Sequence, residues 1–146
     1  MKSKRIWFAS LVPVLTILLV AGGHAVVASS PGATIKLAPK AALANPPSSV
    51  IVSVDYSCMP SQFSFGSVSI DQSQTTSVAS GSRVDVFGFG NFQPVCDDKT
   101  HHADVVVSTW SWFYPPSTFI PGDASASAFV GSGAAYANDS AEITIK

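Results

Sequence analysis

The chain has 146 residues, of which 47% are hydrophobic, 12% are charged and two are cysteine. That length corresponds to one domain, and the apolar content excludes a disordered protein. The formal net charge of −1 argues against nucleic acid as a partner, because surfaces that bind nucleic acid carry an excess of Lys and Arg.

The first 28 residues have the composition of a secretory signal peptide. Three basic residues near the start precede an apolar core from Ile6 to Val20. Small residues follow, and Val26-Val27-Ala28 provides suitable positions for cleavage after Ala28, with cleavage after Ala25 as the alternative. The core is shorter than the roughly 20 apolar residues that span a bilayer. We therefore expect export and no stable membrane anchor.

The rest of the chain is predicted to be a short lead, 29–33, followed by one domain, 34–146. Residues 29–146 hold five basic and nine acidic side chains, so the exported part is mildly acidic. This part has only two leucines and one glutamate but is rich in Val, Ile, Phe, Ser and Thr. Good helix formers are thus scarce and residues that suit a pleated sheet are abundant, which predicts an all-β domain.

Alternating apolar and polar residues, separated by turn-forming clusters, predict about seven strands. In chain order these are Thr34–Leu37, Val50–Cys58, Phe63–Asp71, Arg83–Phe89, Ala103–Phe113, Asp123–Val130 and Ala141–Ile145. Short strands at this spacing are typical of a two-sheet Greek-key β-sandwich, which is the fold we expect. Gly88-Phe89-Gly90 is interpreted as a bulge or a hairpin feature at the end of the fourth strand.

Cys58 and Cys96 are the two cysteines of the chain. An exported protein meets an oxidising environment, so we predict a structural disulfide between them. Such a bridge stabilises the folded chain by about 4 kcal/mol on the chain-entropy model. The alternative is a pair of free thiols used in catalysis or metal binding.

Several short motifs together resemble a known group of proteins. They are Ile35–Pro39, Val54–Cys58, Val68–Gln72, Pro94–Asp97 and Phe119–Ala124. With the signal peptide, these motifs make the chain similar to the small secreted immunoglobulin-like proteins of actinobacteria, most of which have no assigned function. The resemblance implies an Ig-like sandwich and an extracellular location, and it carries over no catalytic residue. A looser likeness is to the neocarzinostatin-type chromophore carriers, which have two disulfides where this chain can form one.

The densest polar cluster of the chain runs from Asp97 to Asp104. Carboxylate and imidazole groups are common metal ligands, so Asp97, His101, His102 and Asp104 form a candidate metal site. His102 and Asp104 would share one face of a strand. The alternative is a solvated loop that leads into the next strand.

Trp110, Trp112 and Tyr114 fall on one face of an extended strand. Exposed, these rings would provide a binding surface for a sugar, a polymer or an apolar ligand. The alternative is that one of the tryptophans packs in the core of the sandwich.

The chain contains neither the G-x-S-x-G nucleophile elbow nor a phosphate-binding glycine motif, so we expect no enzymatic activity and no cofactor. The predicted function is that of a secreted, extracellular binding or cell-envelope interaction module. Its partner would be a protein, a glycan or a small molecule, and the sequence specifies no oligomeric state. The alternative function is a small-ligand or metal carrier that uses the segment Asp97–Asp104.

Overall fold

The computed structural model describes residues 29–45, 47–75, 83–110 and 118–146. Across these ranges the regular elements are seven β-strands, which confirms the all-β prediction. They are β1 (Ala33–Leu43), β2 (Ser49–Cys58), β3 (Ser64–Thr75), β4 (Arg83–Phe92), β5 (His101–Thr109), β6 (Gly122–Ser132) and β7 (Ala135–Ile145).

The strands form one closed barrel in the order β1-β2-β5-β4-β3-β6-β7. The expected Ig-like sandwich is therefore wrong. A sandwich consists of two sheets with separate edges. In the described part of the chain every strand is hydrogen-bonded to a neighbour on both sides, so no sheet edge remains. β4 joins β5 through antiparallel pairs at Gly88 and Phe89, and β1 joins β7 through parallel pairs at Lys40 and Ala41.

A glycine permits the close approach of β4 and β5. Gly90 is buried, and a side chain at this position would collide with the main-chain oxygen of Val106. Gly88 pairs with Thr109 in the same seam. The segment Gly88-Phe89-Gly90 thus lies inside β4, and its interpretation as a bulge or hairpin feature is wrong.

Small residues fill much of the barrel interior. β2 points Val50, Val52 and Val54 inward, as its alternation predicts, while β6 and β7 contribute mainly alanines. Phe119, which precedes β6, is the largest side chain that is fully buried among the described residues. The strand faces that point outward carry the residues that are available to a ligand.

Several strands extend further than the sequence predicts. β7 begins at Ala135, because Ala135–Ser140 pairs with β6 across a tight turn in which Gly133 adopts a φ of 60°. These small residues lack the β-branched signal of a strand and are held by the neighbouring strand instead. β5 ends at Thr109, and the rest of the predicted fifth strand, from 111 onward, lies outside the described residues.

Cys58 and Cys96 form a disulfide, which confirms that prediction. The bridge ties the end of β2 to the connection between β4 and β5, across a sequence separation of 38 residues. The part of the chain that the structure describes, which does not include residues 1–28, has no helix long and apolar enough to cross a membrane.

Candidate functional site

Trp110 lies just after β5, at the end of the barrel opposite the disulfide. Its side chain is 56% exposed, and its main-chain N–H donates to the oxygen of Phe87 at 3.0 Å. Trp112 and Tyr114, the other two residues of the predicted aromatic surface, lie outside the described residues.

The four candidate metal ligands separate into two pairs. His101 Nε2 lies 2.6 Å from Asp97 Oδ1, whereas His102 Nε2 lies 3.3 Å from Asp104 Oδ1. Successive residues of a strand point to opposite faces, so the two histidines face apart. Among the described residues, no group of three or more His, Cys, Asp or Glu side chains is arranged to hold a metal ion.

Both ring nitrogens of His102 face carboxylates. Nδ1 lies 2.8 Å from Oδ1 of Asp55, and Nε2 faces Asp104. The hydrogen bond with Asp55 raises the pKa of His102, desolvation opposes the shift, and the charges of Asp104 and Asp55 add to it. This arrangement favours the imidazolium form, whereas a metal ligand needs a deprotonated nitrogen.

Hydrogen bonds lower the pKa values of two carboxyl groups in this region, those of Asp104 and Asp97. For Asp104 the main cause is the hydroxyl of Ser53, which donates to Oδ1 at 2.5 Å. For Asp97 the main cause is the hydrogen bond with His101, followed by opposing desolvation and by the main-chain N–H of Lys99. Both carboxylates are therefore held in the charged form as partners of nearby donors.

Within the described residues, a groove at the disulfide end of the barrel combines exposed aromatic rings with polar groups. It is lined by Gln62, Phe63, Ser64, Phe65, Gln93 and the turn Gly131–Gly133, and it has a volume of about 640 Å³. We call it the aromatic groove. Phe63 is 82% exposed and Phe65 is 48% exposed, so two phenyl rings stand in solvent beside uncharged polar groups.

The backbone that carries Phe63 is fixed on both sides. Its oxygen accepts hydrogen bonds from the hydroxyl of Ser61 at 3.0 Å and from the N–H of Gly133 at 3.1 Å. The hydroxyl of Ser132 donates to the main-chain oxygen of Met59, which holds the same loop. The Phe63 ring is thus exposed on a loop that several hydrogen bonds hold in place.

The other walls of the aromatic groove are also fixed by contacts. The ring of Phe65 packs against that of Phe129, with centroids 6.2 Å apart and planes inclined at 44°. The side-chain amide of Gln93 donates to the oxygen of Ser64 at 3.0 Å and to its hydroxyl at 2.8 Å. The ring of Phe65 and the amide of Gln93 therefore have defined positions before a ligand arrives.

Outward-facing hydroxyl groups continue the aromatic groove along the surface of β3, β6 and β7. We call this surface the hydroxyl face, and it consists of Ser67, Ser69, Ser127 and Ser140. On neighbouring strands Ser69 pairs with Ser127, and Ser127 pairs with Ser140, whose hydroxyl oxygen is 2.8 Å away. Along β3 the outward positions begin with Phe65 at the groove and continue with Ser67 and Ser69.

Sequence reasoning did not single out the aromatic groove, because three distant segments of the chain build it. One signal was nevertheless available. In β3 the buried positions are Gly66, Val68, Ile70 and Gln72, so Phe65 shares its face with serines. A phenylalanine in phase with the polar residues of a strand indicates an exposed aromatic ring.

No family model matches this chain, and comparisons with curated proteins and with solved structures likewise find no match. The resemblance drawn from the short sequence motifs therefore stays a prediction, and its implied sandwich fold is replaced by the barrel.

Proposed function

We propose that this protein is a secreted, non-catalytic binding module whose ligand occupies the aromatic groove. The observation that carries the proposal is the exposure of Phe63 on a backbone that Ser61 and Gly133 already hold. Exposed apolar surface commonly marks an interaction site. A loop whose backbone is already held loses little backbone freedom when its ring contacts a ligand, so more of the contact energy remains for affinity.

The composition of the aromatic groove supports a binding role over a catalytic one. General acid–base catalysis requires a titratable side chain within reach of the substrate. The side chains that line the groove, within the described ranges, carry phenyl, amide and hydroxyl groups. These groups position a ligand through contacts and hydrogen bonds.

Export is supported by the signal-like residues 1–28 and by the disulfide, since disulfides persist in oxidising compartments. The test is the intact mass of the protein recovered from the medium of its host. We expect a chain that begins at residue 29, or at residue 26 if cleavage follows Ala25. A cell-associated protein that retains residue 1 would contradict the proposal.

Binding is tested with the protein from the same host, by native mass spectrometry and by co-sedimentation with the insoluble cell-envelope fraction. The double variant Phe63→Ala/Phe65→Ala removes both exposed rings, and Val84→Ala is a control at an exposed position of β4, outside both candidate surfaces. We expect wild type and the control to carry an adduct or to sediment, and the double variant to do neither. A wild-type protein that does neither, or a double variant that behaves as wild type, would contradict the proposed site.

A second candidate surface for the same function surrounds Trp110. Ile51 and Val106 pair across β2 and β5 and are both exposed, and Trp110 is exposed at the end of β5. Trp112 and Tyr114 belong to this candidate by sequence. Loss of binding in Trp110→Ala, together with retained binding in Phe63→Ala/Phe65→Ala, would favour this surface over the aromatic groove.

A further inference from the structure

We propose that the ligand of the aromatic groove is a neutral polysaccharide that continues from the groove over the hydroxyl face. This inference rests on the proposed function and names its ligand class. It combines three observations: the distribution of charge around the groove, the continuity of the groove with a row of hydroxyl groups, and the pairing of the strands beneath them.

The charge distribution favours an uncharged ligand. Outward positions of β3, β6 and β7 form rows across the sheet, and the row nearest the groove contains Phe65, Gly131 and Tyr136. The next two rows contain Ser67, Phe129 and Asn138, and then Ser69, Ser127 and Ser140. Acidic side chains enter in the fourth row, with Asp71 and Glu142. A ligand on the first three rows thus meets aromatic, hydroxyl and amide groups.

Those groups match the two kinds of surface on a sugar ring. The carbon–hydrogen face of the ring can pack on the exposed rings of Phe63 and Phe65. Serine hydroxyls and the amide of Gln62 can donate and accept hydrogen bonds at the ring's hydroxyl groups. The amide nitrogen of Gln93 already donates to Ser64, so Gln93 offers its amide oxygen as an acceptor. A wholly apolar ligand, such as an acyl chain, would desolvate these polar groups without providing partners for them.

The geometry favours a polymer over a small molecule. Sites for small ligands enclose most of the ligand's surface, whereas the aromatic groove opens onto the sheet surface. Successive outward residues on one strand are about 6.6 Å apart, so the three rows extend the contact surface by roughly 13 Å beyond Phe65. A chain of several sugar units can follow this surface from the groove to Ser127.

The strands beneath this surface leave no place for a peptide to add as a further strand. β3 pairs with β4 on one side and with β6 on the other, and β6 pairs with β7. Peptide recognition by strand addition needs an unpaired edge. The side chains of the outer face therefore provide the contacts here, which suits a ligand recognised by its hydroxyl groups.

Affinity electrophoresis tests the inference with full-length exported protein. The probes are the neutral polysaccharides laminarin, hydroxyethyl cellulose and dextran, with polygalacturonate as the anionic comparison. We expect at least one neutral polymer to retard the wild type. Phe63→Ala/Phe65→Ala should weaken that interaction about tenfold or more, as truncation of central aromatic contacts does, and Phe63→Tyr should retain it.

A matched pair of serine variants tests the hydroxyl face. Ser127→Arg places a bulky charged group on this face, whereas Ser108→Arg makes the same change on an exposed position of β5. We expect Ser127→Arg to weaken binding of the polymer several-fold and Ser108→Arg to leave it unchanged. Equal effects of the two substitutions would contradict the path over the hydroxyl face.

The salt dependence separates a neutral ligand from a charged one. Retardation by the neutral polymer should be the same at low and high salt, because no ion pair contributes to it. Retardation by polygalacturonate alone, or by none of the polymers, would overturn the inference. If the native protein still carries a different adduct that Phe63→Ala/Phe65→Ala removes, the proposed function stands and the polysaccharide is excluded. If it carries none and does not sediment with the envelope, both proposals fail.

Discussion

The carboxylate of Asp139 on β7 accepts a hydrogen bond from the main-chain N–H of Leu37 on β1, at 2.7 Å. Asp139 is buried, and its contact partner is 102 residues away in the chain. Among the described residues, β1 and β7 share ladder pairs at Lys40–Thr144 and Ala41–Ile145, at the end of the stretch between Leu37 and Ala41 where the register of β1 with β2 shifts. The hydrogen bond from Leu37 to Asp139 thus adds a side-chain contact between β1 and β7 next to their main-chain ladder pairs.

Asp139→Ala should lower the free energy of unfolding by about 1–3 kcal/mol, because the N–H of Leu37 loses its acceptor inside the barrel. Asp139→Asn should cost less, since the amide oxygen can still accept. Urea unfolding followed by fluorescence measures the difference. Asp123→Ala, an exposed carboxylate on β6, is the control and should have little effect. Equal stability of Asp139→Ala and wild type would show that the seam does not depend on this contact.

Gly90→Ala should destabilise the barrel by about 1–3 kcal/mol through overpacking, because the new methyl group meets the main-chain oxygen of Val106. The nearby exposed position Asn91 provides the control, and Asn91→Ala should change stability by less than about 0.5 kcal/mol. Thermal unfolding measures both. Hydrogen exchange adds a local test, since amides of the β4–β5 seam should lose protection in Gly90→Ala first. A fully tolerated alanine would contradict the close approach.

Replacement of both cysteines, as Cys58→Ala/Cys96→Ala, should lower the free energy of unfolding by about 4 kcal/mol on the chain-entropy model. The bridge restricts the unfolded chain by closing a loop of 38 residues. Guanidinium unfolding of wild type with and without reductant should show the same difference, and the double variant should not respond to reductant. A reductant effect on the variant would assign the change to something other than this disulfide.

His102 should make stability depend on pH. Its folded-state pKa is raised above the ordinary value of 6.5, mainly by the hydrogen bond with Asp55. The charged histidine therefore stabilises the folded state below pH 6.5, and this contribution is lost as the pH rises through the raised pKa. It is also lost in acid, when the carboxylate partners are protonated.

Melting temperatures of wild type and His102→Gln, measured across pH, check this expectation. The wild type should be the more stable protein near pH 6, and the two should converge at alkaline pH. An NMR titration of the His102 ring should give a midpoint above 6.5. A midpoint below that value, or a constant difference between the two proteins, would contradict the assigned contacts.

The aromatic groove could not be predicted from the sequence, because segments that are distant in the chain build it. Residues 63–65, 93 and 131–133 are brought together by pairing between β3 and β6 and by the hydrogen bond of Gln93 to Ser64. None of these segments carries a motif of its own. His101 and His102, by contrast, are predicted from the sequence to be candidate metal ligands. The strand places their side chains on opposite faces.

The sequence by itself determined the all-β class, the inward face of β2 and the pairing of the two cysteines. Each follows from local alternation, composition or the cysteine count, and the structure confirms them. Only the tertiary structure decided that the strands close into a barrel, since closure depends on contacts such as Gly90 with Val106 and Leu37 with Asp139. The partners in such contacts are distant in the chain, and a residue's own neighbours in sequence do not specify which strand will lie beside it.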